Sequence, residues 1–272
     1  GVEQLKAVPD PELDALALLS AATGLEPMQL RLSALDDLPT QQEERYRSLL
    51  LLRAQREPLQ YLLGTQCFYG YDFAVDARVL IPRQETETLC ELALKHMGEF
   101  AAPRALDVCT GSGAIAIVLK RECQRAIVTA TDISEDALSV ARANAMQNAA
   151  DVRFLKGNLL EPVRGERFDV LVSNPPYIDS AACDTLQPEV MREPRLALDG
   201  GADGLAFYRR LAADAPDCLT DGGYLLVEVG DEQAESVAAL FRETKCFTDV
   251  QIHTDLYRKE RFVTARRAAF PT

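Results

Sequence analysis

Four consecutive residues, Asn174-Pro175-Pro176-Tyr177, carry the groups in this chain best suited to chemistry. A planar –NH2 group has two hydrogens to give. The Asn174 side-chain oxygen and the Pro175 carbonyl are two acceptors that can take them. Holding both hydrogens aims the nitrogen and favours the positive charge that grows on it as it attacks an electrophile. Tyr177 offers a flat face on which a planar group can stack. Neither a metal nor a strong base is needed when the electrophile is already activated. Asn174, Pro175 and Tyr177 are therefore the candidate catalytic residues, and Asn174, Pro175, Pro176 and Tyr177 the candidate substrate-binding set. On its own the tetrapeptide also fits a proline-stiffened loop, so its neighbours must decide.

The element that positions it is the apolar run Phe168-Asp169-Val170-Leu171-Val172-Ser173, which has the look of a buried parallel strand. Two prolines cannot continue a central strand, because neither has an N–H for the ladder. The chain must leave the sheet at Asn174, at the carboxyl end of a strand, where ligands sit in open α/β sheets.

A second constellation precedes it. Asp107-Val108-Cys109-Thr110-Gly111-Ser112-Gly113 lies where a strand over Ala105–Val108 meets a helix over Gly113–Lys120. Gly111 and Gly113 allow a tight turn and close approach of a ligand. Ala116 stands where the dinucleotide fingerprint has its third glycine or alanine, so that point does not discriminate. Asp132, about twenty residues on at the end of the next strand, can accept both hydroxyls of a ribose. It also fits a helix N-terminal acid favoured by the dipole. Asn158-Leu159 follows a third strand, Val152–Leu155, and could flank an adenine. Asp107 could attract a cationic amino group, which a nicotinamide dinucleotide does not present. Glycine turn, ribose acid and Asn-Pro-Pro-Tyr, in that order, point to S-adenosylmethionine. The cofactor-binding candidates are Asp107, Cys109, Thr110, Gly111, Ser112, Gly113, Asp132, Asn158, Leu159 and Asn174.

The surrounding pattern supplies the scaffold. Strands and helices alternate from Arg104, with a helix over Ser134–Asn148, one over Leu205–Cys218, a strand over Gly223–Val229 and a helix over Glu232–Phe241. Repeated units of this length give a doubly wound, mostly parallel sheet. Strands near Thr248–Ile252 and Arg261–Ala265 have no helix between them and should pair antiparallel. Upstream, Cys67–Val75 around Gly70 reads as a β-hairpin, Val79–Ile81 as a third short strand, and Glu85–Met97 as a helix. From Asp10 to about Gly64 the chain reads as a helical bundle. Its first helix has Asp10 as N-cap, Pro11 at the first position, Gly24 as stop and a stripe of Leu13, Leu16, Ala17 and Ser20. Thr40-Gln41-Gln42-Glu43 reads as a capping box opening a second helix, which carries Tyr46, Leu49, Leu50 and Arg53 at helical spacing.

Composition narrows the function classes. The chain has 272 residues, 47% of them hydrophobic, enough for one large or two modest domains with a full core. No run of about 18 apolar residues suggests a membrane span. The N-terminal Gly1-Val2-Glu3-Gln4 is polar without a signal-peptide core, so a cytoplasmic location is expected. A net charge of −13 argues against an extended contact with nucleic-acid phosphates and for a small molecule or a basic protein partner. The 7 cysteines are odd in number and widely spaced, and the only histidines are His96 and His253. Neither a disulfide framework nor a metal site is expected, and reduced thiols are.

These residues, with Pro58-Leu59-Gln60-Tyr61-Leu62-Leu63-Gly64, Ile81-Pro82-Arg83-Gln84-Glu85-Thr86-Glu87, Glu193-Pro194-Arg195-Leu196-Ala197-Leu198 and Gly200-Gly201-Ala202-Asp203-Gly204, make the chain resemble the release-factor glutamine N5-methyltransferase family, once called the HemK family. The likeness runs from about Pro58 to Arg261, and the ordered set is more specific than any one piece. It departs from the family at Gln84 for a usual proline, Cys109 for a usual glycine, and Leu159 for a frequent aromatic. The closing Gly-x-x-Arg segment of the family reads Leu256-Tyr257-Arg258-Lys259-Glu260-Arg261 here.

The resemblance implies a class I S-adenosylmethionine-dependent methyltransferase, Rossmann-like, with a mostly parallel seven-stranded sheet. It implies an N-terminal helical bundle for substrate recognition over 1–65, a hairpin linker over 66–82 and the methyltransferase domain over 83–272. It further implies methyl transfer to the side-chain amide of the glutamine in the Gly-Gly-Gln loop of peptide-chain release factors, with the cofactor at Cys109–Gly113, Asp132, Leu159 and Asn174; a monomer is expected, although the residues themselves do not give the oligomeric state. Rival readings are a glutamine methyltransferase acting on a ribosomal protein, an exocyclic-amine DNA or RNA methyltransferase, a cofactor-binding module without turnover, and a nicotinamide dehydrogenase. Net charge speaks against direct nucleic-acid binding. An intact Asn174-Pro175-Pro176-Tyr177 speaks against a module without turnover. The lack of a relay histidine speaks against the dehydrogenase.

Overall fold

The structure, a computed structural model, describes residues 1–32 and 38–269. By their contacts these divide into two units: Gly1–Thr65 with Leu186–Arg192, and Gln66–Thr185 with the described chain from Glu193 on.

The first unit holds helices α1 (Pro11–Thr23), α2 (Pro27–Leu32), α3 (Thr40–Ala54) and α4 (Leu59–Leu63). Residues 33–37, within the stretch expected to be helical, lie outside the described residues. Gly24, at φ 74°, ends α1 and donates its N–H to the Ser20 carbonyl at 2.8 Å. The face of α1 that is buried is Asp14, Ala15, Leu18 and Ala22, not the stripe containing Leu13, which is 61% exposed. The cause is Arg53 on α3, whose Nε donates to Asp14 Oδ2 at 2.7 Å and turns that face inward. Thr40 does not cap α3. Pro39 precedes the helix and its carbonyl accepts the N–H groups of Gln42 and Glu43, while Thr40 lies inside the first turn. Glu189 accepts from Arg53 at 2.9 Å and from Arg56 at 2.6 Å, which ties the segment 186–192 to the end of α3. Burial raises the Glu189 pKa, but the two guanidinium groups outweigh it and hold the carboxyl at about 2.

The second unit opens with the hairpin β1 (Thr65–Phe68) and β2 (Tyr71–Ala74). Tyr69 and Gly70 both have positive φ, 52° and 76°, the backbone of a two-residue turn that matches strand twist. Val79–Ile81 is not a strand. The Val79 N–H donates to the Asp76 carbonyl at 3.1 Å, and the Ile81 N–H donates to the Glu193 carboxylate at 2.9 Å, so neither joins a ladder. Then come α5 (Glu85–Met97), β3 (Arg104–Val108), α6 (Ala114–Glu122), β4 (Ile127–Asp132), α7 (Glu135–Gln147), β5 (Val152–Lys156) and β6 (Phe168–Ser173). They are followed by α8 (Ala206–Cys218), β7 (Leu219–Glu228), α9 (Ala234–Glu243), β8 (Phe247–Thr254) and β9 (Glu260–Arg267).

The seven strands β3 to β9 form one sheet in the order β5-β4-β3-β6-β7-β9-β8. The first five run parallel, and β9 is antiparallel to β7 and β8. Alternation along each strand feeds two cores. Val170 and Val172 pack with Leu89 and Met97 of α5 and Ile117 of α6. Leu171 packs on the other face with Tyr208 and Leu211 of α8 and Val237 and Phe241 of α9. This is the seven-stranded, mostly parallel architecture expected from the alternating pattern. No helix among the described residues is long and apolar enough to cross a membrane.

Candidate active site

The strand order reverses between β3 and β6: from β3 the chain proceeds outward to β4 and β5, then returns to β6 on the other side. Ligands in open α/β sheets sit at such a point, beyond the carboxyl ends of the strands. Most of the expected residues converge there. A cavity of about 190 Å3 is lined by Cys109 and Gly111 after β3, Asp132 at the end of β4, Asn158 and Leu159 after β5, and Asn174 and Pro176 after β6. Apolar side chains of Ile133, Ala137, Leu196 and Phe207 supply much of the wall. A smaller hollow of about 50 Å3 shares Leu80, Cys109, Gly111 and Asn174 with it and adds Thr110, Ser112, Arg83 and Thr86. Asp107, Gly113, Pro175 and Tyr177 line neither hollow.

The glycine turn is built from behind. Gly111 has φ 54° and Gly113 φ 83°. A Cβ on Gly111 would meet nothing within 4 Å, whereas one on Gly113 would stand 3.1 Å from the Ala141 Cβ. Gly111 is thus the open lip of the cavity, and Gly113 the place where α6 presses on α7. Asp107 is fully buried, and its Oδ2 accepts the Thr110 hydroxyl at 2.6 Å and the Ala116 N–H at 3.1 Å. Its Oδ1 has no hydrogen-bond partner. Burial pushes this carboxyl up to about 7, against those two hydrogen bonds. Asp132 accepts the Gly111 N–H on Oδ2 and the Ser134 N–H on Oδ1, both at 2.9 Å, so its carboxylate is held flat against the turn. Burial raises its pKa as well. Asn158 Oδ1 accepts from Arg210 at 2.9 Å. Leu159, at φ 53°, is pinned by the Thr131 hydroxyl, which donates to its carbonyl at 3.0 Å.

At the other wall, Asn174 Nδ2 donates to Thr86 Oγ1 at 3.3 Å, and Thr86 Oγ1 donates to Glu228 Oε2 at 2.7 Å. Thr86 begins α5 and Glu228 ends β7; the pairing of Ser173 with Val227 puts Asn174 and Glu228 side by side. The loop that follows is held by Gln233, which accepts the Gly230 N–H at 3.0 Å and donates to the Tyr177 carbonyl at 2.9 Å. Burial lifts the Tyr177 hydroxyl well above its ordinary range. Glu193 accepts from Arg83 as well as from the Ile81 N–H, fastening the segment before α5.

Thr86, Glu228, Gln233 and the Arg83–Glu193 pair were not singled out by residue chemistry. One signal was available for Glu228: it is a lone acid in the apolar run Leu225-Leu226-Val227-Glu228-Val229. Strand order, unknown from sequence, gives that anomaly its meaning.

Comparison with known proteins identifies the family. A family model described as Methyltransferase small domain matches residues 83–202, and one described as PrmC N-terminal domain matches residues 1–64. The release factor glutamine methyltransferase of Geobacter sulfurreducens is 45% identical over 247 residues, 89% of this chain and 86% of that protein. The protein of the same name from Deinococcus radiodurans is 43% identical over 261 residues, 96% of this chain and 93% of that protein.

This chain belongs to the release factor glutamine methyltransferase family. Solved structures bear out the fold at much lower identity. A methyltransferase from Pyrococcus furiosus superposes with a TM-score of 0.56 at 20% identity, covering 74% of this chain and 91% of that one. A human methyltransferase 10 domain containing protein gives 0.54 at 14%, covering 75% and 90%. Within the family frame, the second unit carries the methyltransferase fold. Its glycine turn, Asp132 and Asn174 face one cavity.

Proposed function

We propose that the protein transfers a methyl group from S-adenosylmethionine to the side-chain amide nitrogen, N5, of the glutamine in the Gly-Gly-Gln loop of peptide-chain release factors. The observation that carries this reading is the position of Asn174, just past the end of β6, where it lines both hollows together with Gly111. The residues present fit the cofactor. Gly111 leaves open space where a side chain would block approach, and Asp132 offers a carboxylate to ribose hydroxyls. Apolar walls of Leu159 and Phe207 suit an adenine, and buried Asp107 adds negative potential that favours a cationic amino-acid end. S-adenosylmethionine, when bound, supplies a methyl group already activated on a sulfonium sulfur.

The rest is the work of the chain. An amide nitrogen is a weak nucleophile, because its lone pair is delocalised into the carbonyl. Asn174 Oδ1 and the Pro175 carbonyl accept its two hydrogens, hold the nitrogen in one direction and favour the positive charge that develops on it. Pro175 and Pro176 are buried and Asn174 is half-buried, so both acceptors lose little freedom when they engage. Tyr177 lines neither hollow, and its ring is assigned to the plane of the amide once the substrate is bound beside Pro176; its own backbone is fixed by Gln233. The extra proton leaves to water afterwards. The helical unit, with its own core of Leu5, Val8, Ala15, Leu18 and Leu50, recognises the release factor, whose partner surface is expected to be basic given a net charge of −13.

The test is direct. The protein is incubated with methyl-labelled S-adenosylmethionine and, separately, purified release factors, ribosomal proteins and DNA, and labelled peptides are mapped by mass spectrometry. Label on the Gly-Gly-Gln glutamine is the expected result. Label confined to a ribosomal protein or to nucleic acid would overturn the substrate assignment.

A further inference from the structure

An asparagine side chain has nearly the same shape after a half-turn about its last bond, but its two ends have opposite hydrogen-bonding character. With Oδ1 toward the cavity it accepts from an –NH2 group; with Nδ2 there it repels one. The prolines that follow set the backbone but not this choice. What sets it lies behind Asn174. Its Nδ2 donates to Thr86 Oγ1 at 3.3 Å, and Thr86 Oγ1 in turn donates to Glu228 Oε2 at 2.7 Å. Thr86 is 4% exposed and Glu228 2%. With its hydrogen already pointing at Glu228 Oε2, Thr86 Oγ1 has only lone pairs left to present to Asn174, so it accepts from Nδ2 and cannot donate to Oδ1.

We propose that Glu228 and Thr86 are positioning residues that select the rotamer of Asn174, keeping its oxygen on the cavity side. They thereby make the site specific for a primary amide or amine, which gives hydrogen bonds, over a group that accepts them. The proposal rests on the methyl-transfer reading above. The same space could be filled by leucine without any cost of desolvating a carboxylate. Burial raises Glu228 to about 7, with the Thr86 hydrogen bond and Arg261 opposing and Glu85 reinforcing the rise. A carboxylate at this point weakens the core, and its hydrogen bond is to Thr86, which in turn accepts from Asn174.

The experiment compares Thr86→Val with Thr86→Ser, and Glu228→Leu with Glu228→Gln, in the full-length protein. Thr86→Val and Glu228→Leu should lower kcat for the release factor by about tenfold or more, the equivalent of one lost hydrogen bond in the transition state. Their S-adenosylmethionine Kd by calorimetry should stay within about twofold of the unaltered protein. Thr86→Ser and Glu228→Gln, which keep an acceptor for Asn174, should recover most of the rate. Asn174→Asp places a second carboxylate beside Glu228 and should be nearly inactive. Combining it with Glu228→Gln restores a donor–acceptor match and should regain part of that loss.

A readout independent of turnover is the Asn174 side-chain amide in an NMR spectrum. At least one of its protons should exchange slowly with water in the unaltered protein and quickly in Thr86→Val. Unchanged kcat in Thr86→Val, no recovery in Thr86→Ser, or equally fast exchange in both proteins would overturn the positioning role. Absence of turnover in the unaltered protein, with slow exchange intact, would instead count against the methyl-transfer reading alone.

Discussion

Two glycines two residues apart should fail in different ways when given a methyl group. Both sit in the left-handed region, Gly111 at φ 54° and Gly113 at φ 83°. An alanine in such a conformation costs about 1–2 kcal/mol. At Gly111 nothing more is added to the fold, since the new Cβ meets no atom within 4 Å. At Gly113 the Cβ would lie 3.1 Å from the Ala141 Cβ, 3.2 Å from the Ile117 Cδ1 and 3.3 Å from the Ala141 Cα. Relieving that contact means parting α6 from α7, which adds about 1–3 kcal/mol of overpacking strain. Gly113→Ala should therefore lose about 2–5 kcal/mol and melt on the order of 5–15 °C lower, Gly111→Ala only a few degrees lower. Binding should show the reverse order. The methyl of Gly111→Ala projects where the cofactor must approach, and should weaken S-adenosylmethionine binding at least about tenfold, or 1.4 kcal/mol. Gly113→Ala, measured below its melting point, should bind nearly normally. Differential scanning calorimetry and isothermal titration on both variants decide the matter. Normal cofactor affinity in Gly111→Ala would refute the placement of the cofactor over the turn.

Asn174→Ala should reduce kcat for the release factor by about 100-fold or more while leaving the cofactor Kd within about twofold, because it removes an acceptor of the reacting nitrogen; near-normal turnover would contradict its role. Asp132→Ala should raise the cofactor Kd by about tenfold or more and loosen the Gly111 and Ser134 N–H groups, seen as faster amide exchange at both; an unchanged Kd would remove Asp132 from the ribose. Glu228 has its folded pKa raised by burial to about 7, above the ordinary 4.5, so the stability tied to its protonated form is present below pH 4.5 and lost as pH rises through 7. Glu228→Gln removes that loss: it should be more stable than the unaltered protein at pH 8, by an amount on the order of 1–3 kcal/mol, and no more stable at pH 4.5. Denaturant melts at the two pH values check this, and an equal gain at both would show that the carboxyl titrates normally.

Features legible from the sequence were those written in local patterns. Phe168–Ser173 is a strand because its apolar run is flanked by a turn on one side and by residues without N–H on the other. Ser134 caps α7 as its type suggests, accepting the Ala137 N–H at 3.2 Å. Errors fell where a distant partner overrides the local signal. Val79–Ile81 has the composition of a strand, but its backbone is claimed by Asp76 and Glu193. The leucines of α1 suggested one buried face, and the Asp14–Arg53 pair chose another. Thr40 had the right type for a cap, one residue too far along. In the candidate site, Gly111, Asp132 and Asn174 could be picked out because each ends a strand in chain order. Thr86 and Glu228 could not, because their nearness to Asn174 depends on which strand lies beside β6 and on where α5 starts.

The acids at this sheet edge share one property that bears on the direction of the reaction. Asp107, Asp132 and Glu228 are each raised by burial, and Asp107 and Asp132 also repel one another. Packing carboxylates into a region of low dielectric is unfavourable for the fold, and the penalty is largest when nothing positive is near. A cation in the adjoining cavity relieves it, so the edge should prefer a ligand with a positive sulfonium and ammonium to one that has lost the sulfonium charge. In the proposed reaction the methyl donor would carry that sulfonium charge and the product would lack it. On the proposed reaction, a ligand carrying the sulfonium charge should therefore bind more tightly than the product that has lost it, and titration calorimetry with the two ligands at pH 8 measures the difference; equal affinities would refute the electrostatic preference.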